Sequence, residues 1–253
     1  MSTLKEQVII VTGASSGIGK ATSIRLAKEG AVLALADINE KSLALTLQQC
    51  AQASNDNQKH LTRRLDVCST TDIEQFVKDV MAELGSITHV FNCAGINPTT
   101  LEISQISDDY WHKMVDTNLK SMFTMTRACL PHMKSGGSFV NVSSVLGLHP
   151  TEGLGVYCAT KYAVIGMSKC LALETGRRGI RVNVICPGPI NTPTNNSVRE
   201  GKERVDATAA TIGLGRLGTA EEVADVVAFL FSEQSRYVNG SVVEINGGMG
   251  MPA

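Results

Sequence analysis

An excess of charge of either sign is missing from this 253-residue chain: 23 Lys and Arg stand against 24 Asp and Glu, for a net charge of −1. A nucleic-acid binder usually shows a basic domain, so the balance argues against that partner. No run of eighteen apolar residues occurs, which excludes a membrane-spanning helix. The first residues, Met1 to Gly13, lack a basic segment followed by a long apolar stretch, so no signal peptide is read and the default compartment is the cytosol. Paired cysteines are missing too. The closest two, Cys158 and Cys170, lie twelve apart, no CxxC occurs, and the count of seven is odd. A chain of this length needs no staples, so the thiols are expected to be free and buried. The five histidines show neither HxH nor HExxH spacing, and no metal site is expected. Disorder is excluded by 43% hydrophobic against 19% charged residues.

What is present is alternation. Apolar runs of strand length begin at Val8, Ala31, Leu61, Thr88, Gly137, Arg181 and Ser241, with helical patterns between them. Those helices are expected over 17–29, 40–52, 69–84, 108–134, 156–178 and 221–232. Ser69–Asp72 and Thr219–Glu222 have the form of capping boxes, and Gly85 and Gly179 end helices. Such alternation predicts one α/β domain over 1–253, with a mostly parallel sheet covered by helices on both faces. One stretch breaks the rhythm. Residues 192–217 are polar and glycine-containing, with a short helical pattern only near 203–211, and are read as a functional lid.

The first strand runs into Thr12-Gly13-Ala14-Ser15-Ser16-Gly17-Ile18-Gly19. Glycines between strand and helix let the backbone turn tightly and approach a ligand, and the helix N-terminus offers free N–H groups to a pyrophosphate. Asp37 ends the second strand, eighteen residues after Gly19. A carboxylate there accepts hydrogen bonds from ribose hydroxyls and repels a 2′-phosphate; the plainer reading is a cap for the next helix. Tyr157 and Lys161 share a helix face at i, i+4. A phenol titrates near pH 10 unperturbed, and a neighbouring ammonium favours the phenolate, so the pair is a plausible proton-transfer device. Ser144, thirteen residues upstream of Tyr157, follows the fifth strand at the end where open α/β sheets place ligands.

Together these residues resemble one family, the short-chain dehydrogenases/reductases. The cofactor loop Thr12-Gly13-xxx-Gly17-x-Gly19, the Ser144/Tyr157-xxx-Lys161 centre and Asn118 in Asp116-Thr117-Asn118-Leu119 match it in order and spacing. Asn92-Cys93-Ala94-Gly95 is similar to its Asn-Asn-Ala-Gly motif, with Cys93 in place of the second Asn. Pro187-Gly188-Pro189-Ile190-Asn191-Thr192 is similar to the loop that lines the nicotinamide, and Asn246-Gly247-Gly248 departs mildly from the usual ending.

The resemblance implies a doubly wound Rossmann domain with a central parallel sheet of about seven strands. It implies a nicotinamide-dependent oxidoreductase of secondary alcohols and ketones. Tyr157 is then the acid/base. Lys161 lowers the Tyr157 pKa and holds the nicotinamide ribose, Ser144 polarises the carbonyl, and Asn118 holds a water toward Lys161. Gly13, Ser15, Ser16, Gly17, Ile18, Gly19 and Asp37 would hold the cofactor. Asp66 and Val67 would contact its adenine, and Asn92, Ala94 and Gly95 would line the adenosine side. Pro187, Gly188, Ile190 and Thr192 would lie along the carboxamide end. Ser15, Ser16, Ile38 and Asn39 stand where family members that take a 2′-phosphate carry Arg or Lys, so NAD is expected over NADP.

Leu146, Leu148, His149, Leu154, Asn97, Pro189 and the lid are expected to form a mostly apolar substrate pocket, with His149 more readily a solvated loop residue than a polar contact. A homotetramer is expected from apolar positions on the two long helices. Two alternatives stand beside this reading. One is an NADPH-dependent 3-oxoacyl-acyl-carrier-protein reductase. The other, of a different class, is a non-catalytic NAD-sensing protein. An enoyl reductase of the same fold would need a wider Tyr–Lys spacing, and position 163 is Ala163.

Overall fold

The structure is a computed structural model that describes residues 4–54 and 58–250. The ends of the expected 1–253 domain and residues 55–57 lie outside the described residues. In chain order the elements are β1 (Val8–Thr12), α1 (Gly17–Lys28), β2 (Val32–Asp37), α2 (Glu40–Ala53), β3 (Leu61–Arg64), α3 (Thr70–Leu84) and β4 (His89–Asn92). There follow α4 (Asp108–Val115), α5 (Ser121–Cys129), β5 (Ser138–Val142), α6 (Gly155–Gly176) and β6 (Arg181–Pro187). The last elements are α7 (Asn196–Arg199), α8 (Lys202–Ala209), α9 (Ala220–Phe231) and β7 (Val242–Ile245).

The strands form one seven-stranded sheet in the order β3-β2-β1-β4-β5-β6-β7, every pairing parallel. A parallel sheet is covered on both sides, which is why β1 is apolar without alternation and buried throughout. Ile9, Val11, Leu33 and Leu35 pack toward Leu26 of α1 and Val223 and Val227 of α9. Ile10, Ala34 and Ala36 point the other way, to Ile73, Phe76 and Val77 of α3 and Met125 and Cys129 of α5. Burying such apolar surface contributes roughly 25 cal/mol per Å².

The helix starts follow from side chains that accept orphan N–H groups. Asn39 takes the Ser42 N–H at 3.1 Å and Ser69 takes that of Asp72 at 3.2 Å. Thr219 and Glu222 close a reciprocal capping box at 3.2 and 2.8 Å. Gly85 ends α3 at φ +78°, a conformation that favours glycine.

Three expectations are corrected. The helix expected over 108–134 is two helices joined by a π-helical turn, Asp116–Lys120, and it ends in a short 3₁₀ turn at Leu130–His132. Pro131 has no N–H to donate and stops α5 from continuing. The lid segment holds two helices rather than one, and α8 buries none of its side chains. All seven cysteines are free; Cys50, Cys129, Cys158 and Cys186 are buried, but Cys68 and Cys93 are half-buried and Cys170 is exposed.

A polar chain crosses the core. Asn92 Nδ2 donates to Asn141 Oδ1 at 2.8 Å, and Asn141 Nδ2 donates to Ser168 Oγ at 2.9 Å, linking β4, β5 and α6. Each of these side chains is buried and has a partner. Among the described residues no helix is long and apolar enough to cross a membrane.

Candidate active site

The strand order reverses between β1 and β4, and a cleft of about 780 Å³ opens beyond their carboxyl ends. The chain builds its floor from the β1–α1 turn. Gly13 and Gly17 have φ of +70° and +49°. A Cβ on Gly13 would lie 3.0 Å from the Ala94 backbone, and one on Gly19 would lie 2.1 Å from the Gly13 carbonyl oxygen. Ser16 begins α1 without a side-chain cap, so nothing from its own side chain covers the N–H groups of the first turn. Gly13, Ser15, Ser16, Gly17, Ile18 and Gly19 all line the cleft.

At the far end stands Asp37. One carboxylate oxygen accepts from the Ser15 N–H at 3.1 Å and the other from the Asn39 N–H at 2.9 Å. Asp66 and Val67 form the next wall, with Asp66 turned back onto the Cys68 N–H at 2.9 Å. Ala94 and Gly95 follow from β4. Thr12 Oγ1 accepts from both the Cys93 and Ala94 N–H groups at 3.1 Å, which pins this loop against β1. Pro187, Gly188, Ile190 and Thr192 line the opposite side.

Ser144, Tyr157 and Lys161 all line the cleft and come together there, Lys161 lying over the Tyr157 ring and Ser144 hydrogen-bonded to its phenol. The Ser144 Oγ accepts from the Leu146 N–H at 3.1 Å, which leaves its proton to be donated. Lys161 is buried, its Nζ donating to the Val142 carbonyl at 3.0 Å. Burial pushes the Lys161 ammonium down to about 8. Burial pushes the Tyr157 phenol up to about 12, with a hydrogen bond to Ser144 opposing the rise. The apolar surroundings that hold the pair withdraw both groups from water, which moves each toward its neutral form.

Asn118 and Asn92 do not line the cleft, and both are buried. Asn118 donates to the Ile96 carbonyl at 3.0 Å and accepts from the Ile96 N–H at 2.8 Å. A Cβ on Gly95 would stand 3.1 Å from Asn118 Oδ1 and 3.8 Å from Lys161 Nζ, so Asn118 and Lys161 close over the same glycine. Asn92, expected on the adenosine side, faces the core instead because its carboxamide is spent on Asn141. Leu146, Leu154, Asn97 and Pro189 line the pocket as expected. Leu148 does not; it packs on Met122, Val164 and Ile165. His149 is exposed outside the cleft. Ile96, Lys113, Thr117 and Met249 line it without having been expected. Lys113 on α4 and Thr117 in the π-helical turn that also carries Asn118 are four residues apart, a spacing from which this wall could have been read. Asn97 donates to the Thr194 carbonyl and ties the β4–α4 loop to the start of the lid.

A family described as enoyl-(acyl carrier protein) reductase matches residues 13–250. Among curated proteins, the chain is 38% identical over 248 residues to a 3-oxoacyl-[acyl-carrier-protein] reductase of Thermotoga maritima, covering 97% of this chain and 98% of that one. It is 35% identical to a (3R)-3-hydroxyacyl-CoA dehydrogenase of Canis lupus familiaris, with 98% of both chains covered. Among solved structures, levodione reductase superposes with a TM-score of 0.92 at 33% identity, over 96% of this chain and 97% of the other. Two further structures of the same fold, at 29% and 27% identity, are complexes with NADPH and with NADP.

Proposed function

The chain belongs to the short-chain dehydrogenase/reductase family, and from that premise we propose that it is an NAD-dependent dehydrogenase/reductase in which Tyr157 exchanges the proton. It is an oxidoreductase that transfers a hydride at a secondary alcohol or ketone carbon. A nicotinamide dinucleotide fits what the chain offers. The β1–α1 turn has no room for a side chain at Gly13 or Gly19, the first turn of α1 is uncapped by Ser16, and Asp37 stands where a ribose would lie. Gly13, Ser15, Ser16, Gly17, Ile18 and Gly19 would hold the pyrophosphate, with Asp37 on the adenosine ribose. Asp66, Val67, Ala94 and Gly95 would border the adenosine. Pro187, Gly188, Ile190, Thr192 and Lys161 would border the nicotinamide end. The bound nicotinamide supplies the hydride donor or acceptor.

The protein's own part is geometry and proton movement. Ser144 donates its hydroxyl to the substrate oxygen, and Tyr157 gives that oxygen a proton in reduction or takes one in oxidation. Asn118 holds the Ile96 backbone and so sets the loop facing Lys161. The observation that carries the reading is the meeting of Ser144, Tyr157 and Lys161 in one cleft whose other end is Asp37.

Asp37 supports NAD over NADP, because a carboxylate at that position repels a 2′-phosphate. Leu146, Leu154, Pro189 and Ile96 support a moderately hydrophobic substrate. A second reading, an NADPH-dependent 3-oxoacyl-acyl-carrier-protein reductase, is favoured by the Thermotoga maritima relative. Against it stands the absence of Arg or Lys at 15, 16, 38 and 39. A non-catalytic sensor is disfavoured because Asn118, Ser144, Tyr157 and Lys161 are all retained. Exposed Phe123 on α5 and Tyr162 on α6 support assembly as a homotetramer, checked by light scattering. The deciding experiment measures turnover of a panel of secondary alcohols and ketones with NAD(H) and with NADP(H). Preference for NAD(H) on apolar substrates supports the reading. Turnover of 3-oxoacyl thioesters with NADPH alone would replace it by the second.

A further inference from the structure

Strand β3 is an edge strand, and its last residue lies opposite the last residue of β2: the register pairs Asp37 with Arg64. Neighbouring strands lie about 4.8 Å apart, and residues opposite one another send their side chains to the same face. That face is identified by Leu35, two residues before Asp37, which packs with Ile9 and Val11 on the α1 side. Arg63 turns to the other face, where it pairs with Asp79 and Glu83 of α3. Arg64 is exposed and, among the described residues, forms no ion pair with a carboxylate. Asp37 carries no salt bridge either; both its oxygens are satisfied by backbone N–H groups. The chain runs straight on from this point into the cleft wall, since the Leu65 N–H donates to the Asp37 carbonyl at 3.0 Å and Leu65 and Asp66 line the cleft. The other charged groups at this end are Glu40 and Lys41, in the first turn of α2, and Asp66, which lines the cleft two residues past Arg64.

We propose that Arg64 is a second determinant of cofactor choice, a guanidinium already placed to take a ribose 2′-phosphate and denied that role by Asp37. The proposal rests on the reading that Asp37 holds the adenosine ribose. The chemistry favours it: a guanidinium presents its donors in a planar fork that matches a phosphate, and its charge is permanent. Positions 15, 16, 38 and 39 are uncharged, so none of these four offers a cation to a 2′-phosphate. The sheet supplies one from a strand 27 residues further along. The carboxylate and the guanidinium then have opposite effects on a 2′-phosphate, and the carboxylate, nearer the ribose, dominates in the native chain. Removing Asp37 therefore does more than relieve repulsion; it exposes an attraction.

The test compares Asp37→Ser, Arg64→Ala, Arg64→Lys and the doubles Asp37→Ser/Arg64→Ala and Asp37→Ser/Arg64→Lys. Binding of NADH and NADPH, and of the probes ADP and 2′,5′-ADP, is titrated calorimetrically without substrate. Asp37→Ser is expected to weaken NADH and to tighten NADPH and 2′,5′-ADP by about tenfold or more, the size of a hydrogen bond to a charged group. Adding Arg64→Ala is expected to remove most of that gain, with Arg64→Lys keeping part of it. NADH and ADP binding by Arg64→Ala alone should stay within about twofold of the native chain, since nothing in ADP needs the guanidinium. Salt should weaken NADPH binding to Asp37→Ser more steeply than to Asp37→Ser/Arg64→Ala. Equal NADPH affinity in those two variants, or no gain in Asp37→Ser, overturns the role of Arg64. So does an equal loss of NADH and NADPH in Arg64→Ala, which would make the residue structural. Unchanged NADH affinity in Asp37→Ser would instead overturn the ribose reading beneath it.

Discussion

The Lys161 ammonium lies over the Tyr157 ring, 5.6 Å from its centre, close enough for the electron-rich face of the ring to attract it. Both groups are buried, and burial moves each toward its neutral form: Lys161 down to about 8, Tyr157 up to about 12. Reduction needs the Tyr157 proton in place, and oxidation needs it gone. The kcat/KM for alcohol oxidation is therefore expected to climb with pH from neutral into the alkaline range, while ketone reduction holds its rate at neutral pH. Tyr157→Phe should lose a factor of about 10²–10⁴ in turnover and keep NADH binding, because the ring remains and only the proton is gone. An oxidation profile flat with pH, or a Phe variant that still turns over well, would move the proton to another group.

Lys161 also carries a stability consequence. Its folded pKa, about 8, lies below the ordinary 10.5. Between those values the unfolded chain binds a proton that the folded chain does not, so stability rises with pH across that window. Below about pH 8 the full cost of the buried ammonium is present, on the order of a few kcal/mol. Lys161→Met should therefore raise the Tm of the free protein at pH 7 relative to the native chain, with the advantage shrinking as pH approaches 10. Melting curves of both chains at several pH values decide this; an advantage that grows with pH would contradict it.

Asn118 closes both the N–H and the C=O of Ile96, from inside a π-helical turn. Truncating it leaves two backbone groups without these partners, at about 1–3 kcal/mol each where they stay dry. Asn118→Ala should lower stability by a few kcal/mol in denaturant titrations and lower kcat more than it changes KM, as a positioning residue does. A variant of native stability whose KM alone has risen would place Asn118 in direct contact with substrate.

The segment from 194 to 211, whose first two residues line the cleft, buries none of its described side chains. No side chain of α8 is buried, whereas α6 buries Val156, Tyr157, Lys161, Val164 and Ile165. Ordering a residue costs about 1–2 kcal/mol of backbone entropy, which little burial offsets here. Amide exchange across α8 should be much faster than across α6, and adding NAD with a substrate should slow it. Exchange in α8 as slow as in α6, unaffected by ligands, would make the segment a fixed wall.

The motifs were legible because each is local. A glycine turn between a strand and a helix, Tyr157 and Lys161 one helical turn apart, and Asp37 at a strand end need only sequence distance to be read. What sequence distance hides is orientation. Asn92 stands beside Ala94 and Gly95 in one motif, yet the alternation of a strand turns its side chain into the core, where Asn141 meets it from β5. Leu148 and Leu146 are two apart, and only Leu146 faces the cleft. The π-helical turn left no trace in periodicity because the helical pattern on either side of it continues. The burial of the Tyr157 phenol was hidden for a different reason: neighbouring charge can be read from spacing, but burial cannot.

The chain of side-chain bonds from Asn92 through Asn141 to Ser168 bears on how the sheet finds its alignment. With both faces of the sheet oily, a strand that slid along its neighbour by two residues would still bury apolar groups, so oiliness alone discriminates poorly among alignments. Asn92 and Asn141 are register partners, and sliding either strand would strand both amides in a dry interior. They work as a pair of keyed teeth between β4 and β5: the wrong mesh is penalised even though the right one adds little. Asn92→Val with Asn141→Val would therefore cost less in melting temperature than in order, seen as broadened amide resonances along β4 and β5.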